Sequence, residues 1–116
     1  MGTRLAEIRD LFQCAVLTGE DRLDQEMSTV VASDAMSPVL AALQPRALLV
    51  TGLANIQSVR TAHVADLAAI LYVRGVRPDE RSIAMASQRN IVLLATTMGM
   101  FDCCGILRER GLRGVI

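Results

Sequence analysis

The polar residues best suited to bind a ligand follow three short apolar runs, at positions 47–50, 69–73 and 91–95. Hydroxyl groups, arginine side chains and helix N-termini at such places suit a phosphate or carboxylate group. Turns and helix caps use the same residue types, and this competing structural interpretation is the more common one. The candidate ligand-binding residues are Thr51, Gly52, Asn55, Arg60, Arg74, Gly75, Arg77, Thr96 and Thr97.

His63 and Asp66 are the one pair whose spacing could support acid–base chemistry or metal binding. They lie three positions apart, so on a helix they share a face. A metal site needs three or four ligands, and the sequence contains no second histidine. We therefore predict a packed or capping role for His63 and no metal site.

Asp34 lies in a Ser-Asp turn, where it could contact a ligand or a partner. Hydrogen bonds within a turn or cap are the simpler interpretation. Cys103 and Cys104 are adjacent, and on a helix their side chains point about 100° apart. We expect one buried and one partly exposed thiol rather than a redox pair, and a core position for Cys14.

No recognisable catalytic set occurs in the chain. All twelve basic residues are arginine, which excludes Schiff-base lysines and phosphate-loop lysines. The sequence also lacks a nucleophile–base–orienter triad and a dinucleotide-binding glycine motif. We predict that the protein is not an enzyme, with no catalytic residues and no cofactor.

Composition indicates one domain over residues 1–116. The chain is 52% hydrophobic and has a net charge of +0, so it lacks the basic field that attracts nucleic acid or anionic membranes. No signal peptide or membrane-length apolar run is evident. Three cysteines form a poor disulfide framework, and a cytoplasmic location is expected.

Apolar runs bounded by turn residues predict a sequence of strands alternating with amphipathic helices. The runs 47–50 and 69–73 bracket a helical segment, which predicts a βαβ unit with parallel strands. The whole pattern predicts an α/β fold: three layers, α/β/α, with a mostly parallel central sheet. Predicted strands cover residues 14–17, 27–32, 47–50, 69–73 and 91–95, and residues 112–116 either start a further edge strand or form no further element. Predicted helices cover 3–11, 38–43, the βαβ crossover, 79–89 and 99–110.

Several stretches resemble the DRTGG-domain family: LTGEDRL (17–23), VVASDAMSPVLAAL (30–43), ALLVTGL (47–53), NIQSVRTAHVADLAAILYVRG (55–75) and NIVLLAT (90–96). The resemblance spans roughly residues 5–114. It implies a bacterial protein with a fold like the N-terminal domain of HPr kinase/phosphorylase. It also implies a regulatory or binding module, because related domains occur fused to CBS domains in some pyrophosphatases and to phosphotransacetylases.

Three functional hypotheses follow. The first is a non-catalytic regulatory module that binds an anionic small molecule or nucleotide at the strand ends and works as a homo-oligomer, with a dimer favoured. The second is a module that docks on a partner protein through residues 98–101. The third is a small enzyme acting on a phosphorylated substrate, with Arg60, Arg74, Arg77 and Thr96 as its anion site and His63 or Asp66 as its base.

Overall fold

The computed structural model describes residues 2–115 of the chain. A short 3₁₀ turn covers Glu20–Arg22. The helices are α1 (Leu5–Leu11), α2 (Met36–Ala41), α3 (Ile56–Val64), α4 (Glu80–Gln88) and α5 (Met100–Glu109). The strands are β1 (Thr3–Arg4), β2 (Ala15–Thr18), β3 (Glu26–Met27), β4 (Thr29–Ala32), β5 (Leu48–Thr51), β6 (Ala69–Tyr72), β7 (Val92–Ala95) and β8 (Arg113–Gly114).

The main sheet has the strand order β2-β7-β6-β5-β4-β8. Neighbouring strands are parallel throughout, except that β2 pairs antiparallel with β7 at one edge. Leu48–Thr51 and Ala69–Tyr72 pair in parallel with α3 between them, so the predicted βαβ unit is confirmed. The predicted strand at the C-terminal end is present as β8, while its last residue, Ile116, lies outside the described residues.

The sheet is buried on both faces, which confirms the three-layer prediction. Side chains along each strand alternate between two apolar clusters, as the pleat of a strand requires. Leu71 and Leu94 face one cluster with α1 and α5, whereas Ile70 and Leu93 face the other with α2, α3 and α4. This double burial explains why the central strands read as continuous aliphatic runs.

Two predicted element boundaries near the N-terminus were wrong. The predicted strand 27–32 is interrupted at the exposed Ser28, because β3 pairs antiparallel with β1 while β4 joins the main sheet. Thr3 lies in β1 rather than capping α1. The cap position belongs to Arg4, whose backbone N–H donates to Glu7 Oε1 at 3.3 Å.

Helix α2 begins two residues earlier than predicted. Ala35 occupies the cap position, so Ser37 and Pro38 fall in the first turn of the helix. A proline is tolerated there because the first-turn N–H groups have no partner within the helix. The sequence places Val39, Leu40 and Leu43 on one predicted apolar face of this helix. That prediction was wrong, because only Val39 is buried, whereas Leu40 and Leu43 are exposed.

Candidate functional site

The candidate ligand-binding residues lie mainly where β5, β6 and β7 end. Because these strands are parallel, their carboxyl ends meet at one edge of the sheet, where open α/β sheets usually bind ligands. We call this region the strand-end edge. It comprises the loops β4–α2, β5–α3, β6–α4 and β7–α5, and the structure divides it into two parts with different chemistry.

The first part is a closed hydrogen-bond network around Asp34, in the β4–α2 loop. Asp34 Oδ1 accepts from the backbone N–H of Gly52 at 2.6 Å and from Thr51 Oγ1 at 3.2 Å. Asp34 Oδ2 pairs with Arg74 Nη2 at 3.3 Å. We call these four residues the Asp34 network. It joins three loops, and it already engages three of the candidate ligand-binding residues, Thr51, Gly52 and Arg74.

Backbone geometry supports this network at two positions. Arg74 has φ +62°, a left-handed conformation that turns the chain after β6. Its guanidinium lies over Gly52, where the Cβ of any other residue would collide with it. A side chain at position 52 would displace the flexible end of Arg74 from this place, and the predicted ligand-binding role of Thr51, Gly52 and Arg74 stays a prediction.

The electrostatics of Asp34 follow from these contacts. The hydrogen bond from the Gly52 backbone N–H, reinforced by Arg74 and Thr51, lowers the pKa of the Asp34 carboxyl below its usual range. Each contact stabilises the charged form of the carboxylate. At neutral pH Asp34 is thus ionised, and it neutralises the charge of Arg74.

The second part is an open polar cavity of about 180 Å³ beside the ends of β6 and β7. We call it the strand-end pocket. Thr96 Oγ1 donates to the Phe12 carbonyl at 2.8 Å and accepts from the Met98 N–H at 3.2 Å, so its hydroxyl is engaged. The lining residues are Gln13, Ala15, Gly75, Val76, Arg77, Ala95, Thr96 and Thr97.

Arg77 is the cation of the strand-end pocket. It is exposed, and within residues 2–115 no acidic side chain lies within ion-pair distance of it. Thr97 is also exposed, and its hydroxyl has no hydrogen-bond partner within the part of the chain that the structure describes. The pocket can therefore offer a guanidinium and a hydroxyl to an anion without breaking an internal contact.

The remaining two candidates are separate from the pocket. Asn55 caps α3, with its Oδ1 accepting from the Gln57 N–H at 3.0 Å. Arg60 lies one turn along α3 and is exposed. Asp79 caps α4 in the same way by accepting from the Ser82 N–H at 2.8 Å, whereas α5 begins at Gly99 without a side-chain cap. Of the four helices that begin at this edge, α3 and α4 thus have a side-chain cap, whereas α2 and α5 have none.

Sequence analysis did not find Gln13 and Ala15, two of the residues that line the strand-end pocket. Gln13 and Ala15 line the pocket because β2 runs antiparallel beside β7, a pairing that no local pattern revealed. Asp34 was identified, but with turn hydrogen bonds as the preferred role. Its ion pair with Arg74 could not be predicted from the sequence, because the two residues are 40 positions apart and only the topology brings them together.

The possible acid–base pair is not assembled. His63 is exposed on α3, so the predicted packed position was wrong, and the buried face of that helix consists of Ser58, Val59, Thr61 and Ala62. Asp66 lies beyond the helix and pairs with Arg46 at 3.8 Å. Across residues 2–115, no three His, Cys, Asp or Glu side chains are arranged to hold a metal ion.

The cysteines are free thiols with low reactivity. Cys103 is buried and Cys104 half-buried, as predicted, while Cys14 is half-buried and packs against the core. Burial raises the pKa of Cys14 to about 12 and that of Cys103 to about 11, and it also raises the pKa of Cys104. The thiolate, which is the reactive form, is therefore scarce at neutral pH.

The sequence profile of the DRTGG domain matches residues 7–109. The chain belongs to the DRTGG domain family. The resemblance noted from the sequence is thereby confirmed over nearly the whole chain. No curated protein matches the chain.

The fold of this DRTGG domain is similar to a solved structure from Clostridium perfringens. That structure contains the CBS and DRTGG domains of the regulatory region of a pyrophosphatase, complexed with the activator diadenosine tetraphosphate. The match has a TM-score of 0.75 and 17% sequence identity, and it covers 95% of this chain. It spans 47% of the other chain, so this domain corresponds to about half of that regulatory region. None of the helices in the described part of the DRTGG domain is long and apolar enough to cross a membrane.

Proposed function

We propose that this DRTGG domain is a non-catalytic regulatory module that binds an anionic small molecule or a nucleotide in the strand-end pocket. The observation that carries the proposal is Arg77, an exposed cation without an ion-pair partner in the described chain, at the mouth of a polar cavity. Arg74 is less suitable, because Asp34 already neutralises it.

The related regulatory region suggests which ligands to test first. It was solved with a nucleotide activator, diadenosine tetraphosphate. At 17% identity the likeness concerns the fold, so the nucleotide is a hypothesis for this chain. Its phosphates would suit Arg77, since guanidinium groups bind phosphate oxygens through paired hydrogen bonds.

A thermal-shift screen tests the proposal. The probes are inorganic phosphate, AMP, ADP, ATP and diadenosine tetraphosphate, each against the purified domain. A ligand at a hundred times its dissociation constant should stabilise the fold by ~2.7 kcal/mol, which raises the Tm of a domain this size by several degrees. Calorimetric titration would then supply the Kd of each probe that shifts the Tm.

Two arginine variants locate the site. Arg77→Ala should weaken binding roughly tenfold, because a hydrogen bond to a charged group is lost. Arg89→Ala is the matched control, since Arg89 is exposed at the end of α4 and does not line the pocket. Equal affinity of Arg77→Ala and the wild type would refute the assignment of the pocket, and a flat screen would refute the ligand class.

We propose further that the module works as a homo-oligomer, with a dimer favoured. The chain is apolar for its size, with a mean hydropathy of +0.38, and its net charge of +0 provides no repulsion between copies. Large apolar side chains are exposed at Leu40, Leu43, Val64 and Phe101.

Docking on a partner protein is the second candidate function. Within the predicted contact region 98–101, Phe101 is 90% exposed, which favours a contact there. Met98 and Met100 are half-buried and pack against the core, so they contribute little free surface. A pull-down tests this contact. If a partner that binds the wild type also binds the Met100→Asp variant, the predicted contact is wrong.

A further inference from the structure

A second cavity lies beside β4 and β8, at the other end of the strand order from β2 and β7. It is a groove of about 390 Å³ between α5 and the edge formed by β4 and β8, and we call it the α5 groove. This volume is within the range of about 300–1,000 Å³ that is typical of small-molecule sites. The strand-end pocket lies beside β2, β6 and β7, so the two cavities share no lining residue.

The walls of the α5 groove are almost entirely apolar. Val30 and Ala32 of β4 form one side, and Leu107 of α5 and Leu112 form the base. Phe101, at the start of α5, lines the groove while 90% of its surface is exposed. A bound apolar group would therefore cover a ring that water now surrounds, and covering apolar surface is favourable.

Glycine creates the space in the groove. Gly105 lies on the exposed face of α5, and a Cβ added there would meet no atom within 4 Å. Glycine in a helix costs roughly 1 kcal/mol relative to alanine, and Gly105 makes no positive-φ turn that would require it. Open space at this position is thus available to a ligand.

One charged residue faces this apolar space. Arg108 lines the groove and is exposed, and in the described chain no acidic side chain lies within ion-pair distance of it. An apolar cavity with a single unpaired cation complements a ligand that has an apolar body and one negative group. Apolar walls supply the affinity in such sites, and the few polar groups orient the ligand.

We propose that the α5 groove binds a small amphipathic anion, an acyl or aryl carboxylate or sulfonate, with its apolar body along Val30, Leu107 and Phe101 and its anionic group at Arg108. This site is independent of the strand-end pocket. It gives the domain a second ligand site of different chemistry.

Two fluorescent probes test the proposal, because they have the same apolar body and differ only in one sulfonate group. 1-Anilinonaphthalene-8-sulfonate has an apolar aromatic body and a sulfonate, and N-phenyl-1-naphthylamine has the same body without it. Both probes should bind the wild-type domain saturably with one site per chain. A displacement titration with decanoate should release the sulfonate probe, since the carboxylate competes for the same groove.

We expect Gly105→Leu to occupy part of the groove and to keep the fold, because a Cβ at this position meets no atom within 4 Å. The new side chain enters open space and improves helix propensity, so the Tm should be unchanged or higher. Binding of both probes should fall at least tenfold. Unchanged probe binding by a folded Gly105→Leu variant would overturn the proposal, because the probes would then bind elsewhere.

Arg108→Gln tests the anionic group. It should weaken binding of the sulfonate probe by roughly two- to fivefold, as expected for an exposed ion pair, and leave the neutral probe unaffected. Arg110→Gln is the matched control, since Arg110 is exposed at the same helix end but does not line the groove. An equal loss for both probes would exclude an anionic ligand class.

Alkylation of cysteine thiols shows independently where the probe binds. Cys104 lines the groove and is half-buried, whereas Cys14 is half-buried outside it. Both thiols should react slowly with a maleimide, because burial raises their pKa; a bound probe should slow the labelling of Cys104 further and leave that of Cys14 unchanged. If neither probe binds and sedimentation shows a dimer that Gly105→Leu dissociates, a second copy of the chain occupies the groove and the small-ligand proposal is wrong.

Discussion

Asp34 connects three loops at the strand-end edge through the Gly52 N–H, the Thr51 hydroxyl and the Arg74 guanidinium. Its side chain is 49% exposed, so water weakens each of these contacts. The role of this residue is therefore to fix loop geometry more than to supply a large stability. Fixing the β6–α4 loop matters because Gly75 and Arg77 of that loop line the strand-end pocket.

Replacing Asp34 with alanine should lower the free energy of unfolding at pH 7 by about 1 kcal/mol. Because its folded-state pKa is lowered, the contribution of Asp34 is present above the unfolded value of about 3.9 and disappears as the pH falls through the folded value. Urea unfolding at pH 7 and pH 2.5 should show the gap between wild type and variant closing in acid. Asp24→Ala, at an exposed turn, is the control and should show no such gap.

Ser58 and Tyr72 form a buried hydrogen bond of 2.8 Å between α3 and the sheet. The Ser58 hydroxyl already donates to the Asn55 carbonyl at 2.7 Å, so the Tyr72 hydroxyl is the donor in the shared bond. Burial raises the pKa of the Tyr72 hydroxyl.

This donor assignment predicts an order of stabilities. Ser58→Ala should cost about 1–3 kcal/mol, because it leaves the buried Tyr72 hydroxyl without a partner. Tyr72→Phe should cost less, about 1 kcal/mol, since Ser58 keeps its bond to Asn55. The double variant should be no less stable than Ser58→Ala alone. Chemical denaturation measures all three, and a greater loss for Tyr72→Phe than for Ser58→Ala would contradict the donor assignment.

At the scale of elements, the helices of this domain end in a recurrent way. In α1, α3, α4 and α5 the second residue after the cap donates its N–H back to a carbonyl five positions earlier: Cys14 to Arg9, Leu67 to Ala62, Ile91 to Ala86 and Leu112 to Leu107. The residue before each donor has a positive φ: Gln13, Asp66, Asn90 and Gly111. This is the Schellman arrangement, which directs an apolar residue back onto the helix.

Two glutamines allow a matched test of this motif, because one has a positive φ and the other lies in a helix. Gln13 has φ +50°, which strains any residue with a Cβ, whereas Gln88 is the last residue of α4. Gln13→Gly should stabilise the fold by up to about 1 kcal/mol, and Gln88→Gly should destabilise it by a similar amount. Thermal denaturation of both variants checks the pair. Destabilisation by Gln13→Gly would show that its side-chain contacts outweigh the backbone strain.

These helix ends also explain which parts of the fold the sequence could predict. Asn90 and Gly111 directly follow the predicted helices 79–89 and 99–110, and both residue types favour the positive φ that ends a helix. The aliphatic runs 47–50, 69–73 and 91–95 marked the central strands. Gln13 carries no such signal, and β1 and β3 have two residues each, too few for a period to show. The candidate site was predicted by position, since strand ends meet at one edge. The division into the Asp34 network and the open pocket depends on side-chain contacts between distant loops.

At the scale of the whole molecule, the apolar side chains left exposed are not spread evenly. Leu40 and Leu43 lie on and just after α2, Val64 ends α3, and these two helices pack together. Phe101 lies on the other face of the sheet, at the start of α5. The α2–α3 side therefore offers an apolar surface for a second copy that is separate from both cavities.

We expect sedimentation velocity to show a dimer whose population rises with protein concentration. Val64 is 74% exposed, so Val64→Asp should leave the fold intact, as circular dichroism would confirm, but shift the protein to monomer by burying a charge in the interface. Phe101→Asp introduces the same charge at an apolar position that is 90% exposed, and this variant should remain dimeric. If Phe101→Asp dissociates the dimer and Val64→Asp does not, the interface lies at α5 instead. A wild-type protein that stays monomeric at every concentration would exclude the homo-oligomer, because the exposed leucine and valine side chains would then not contact a second copy of the chain.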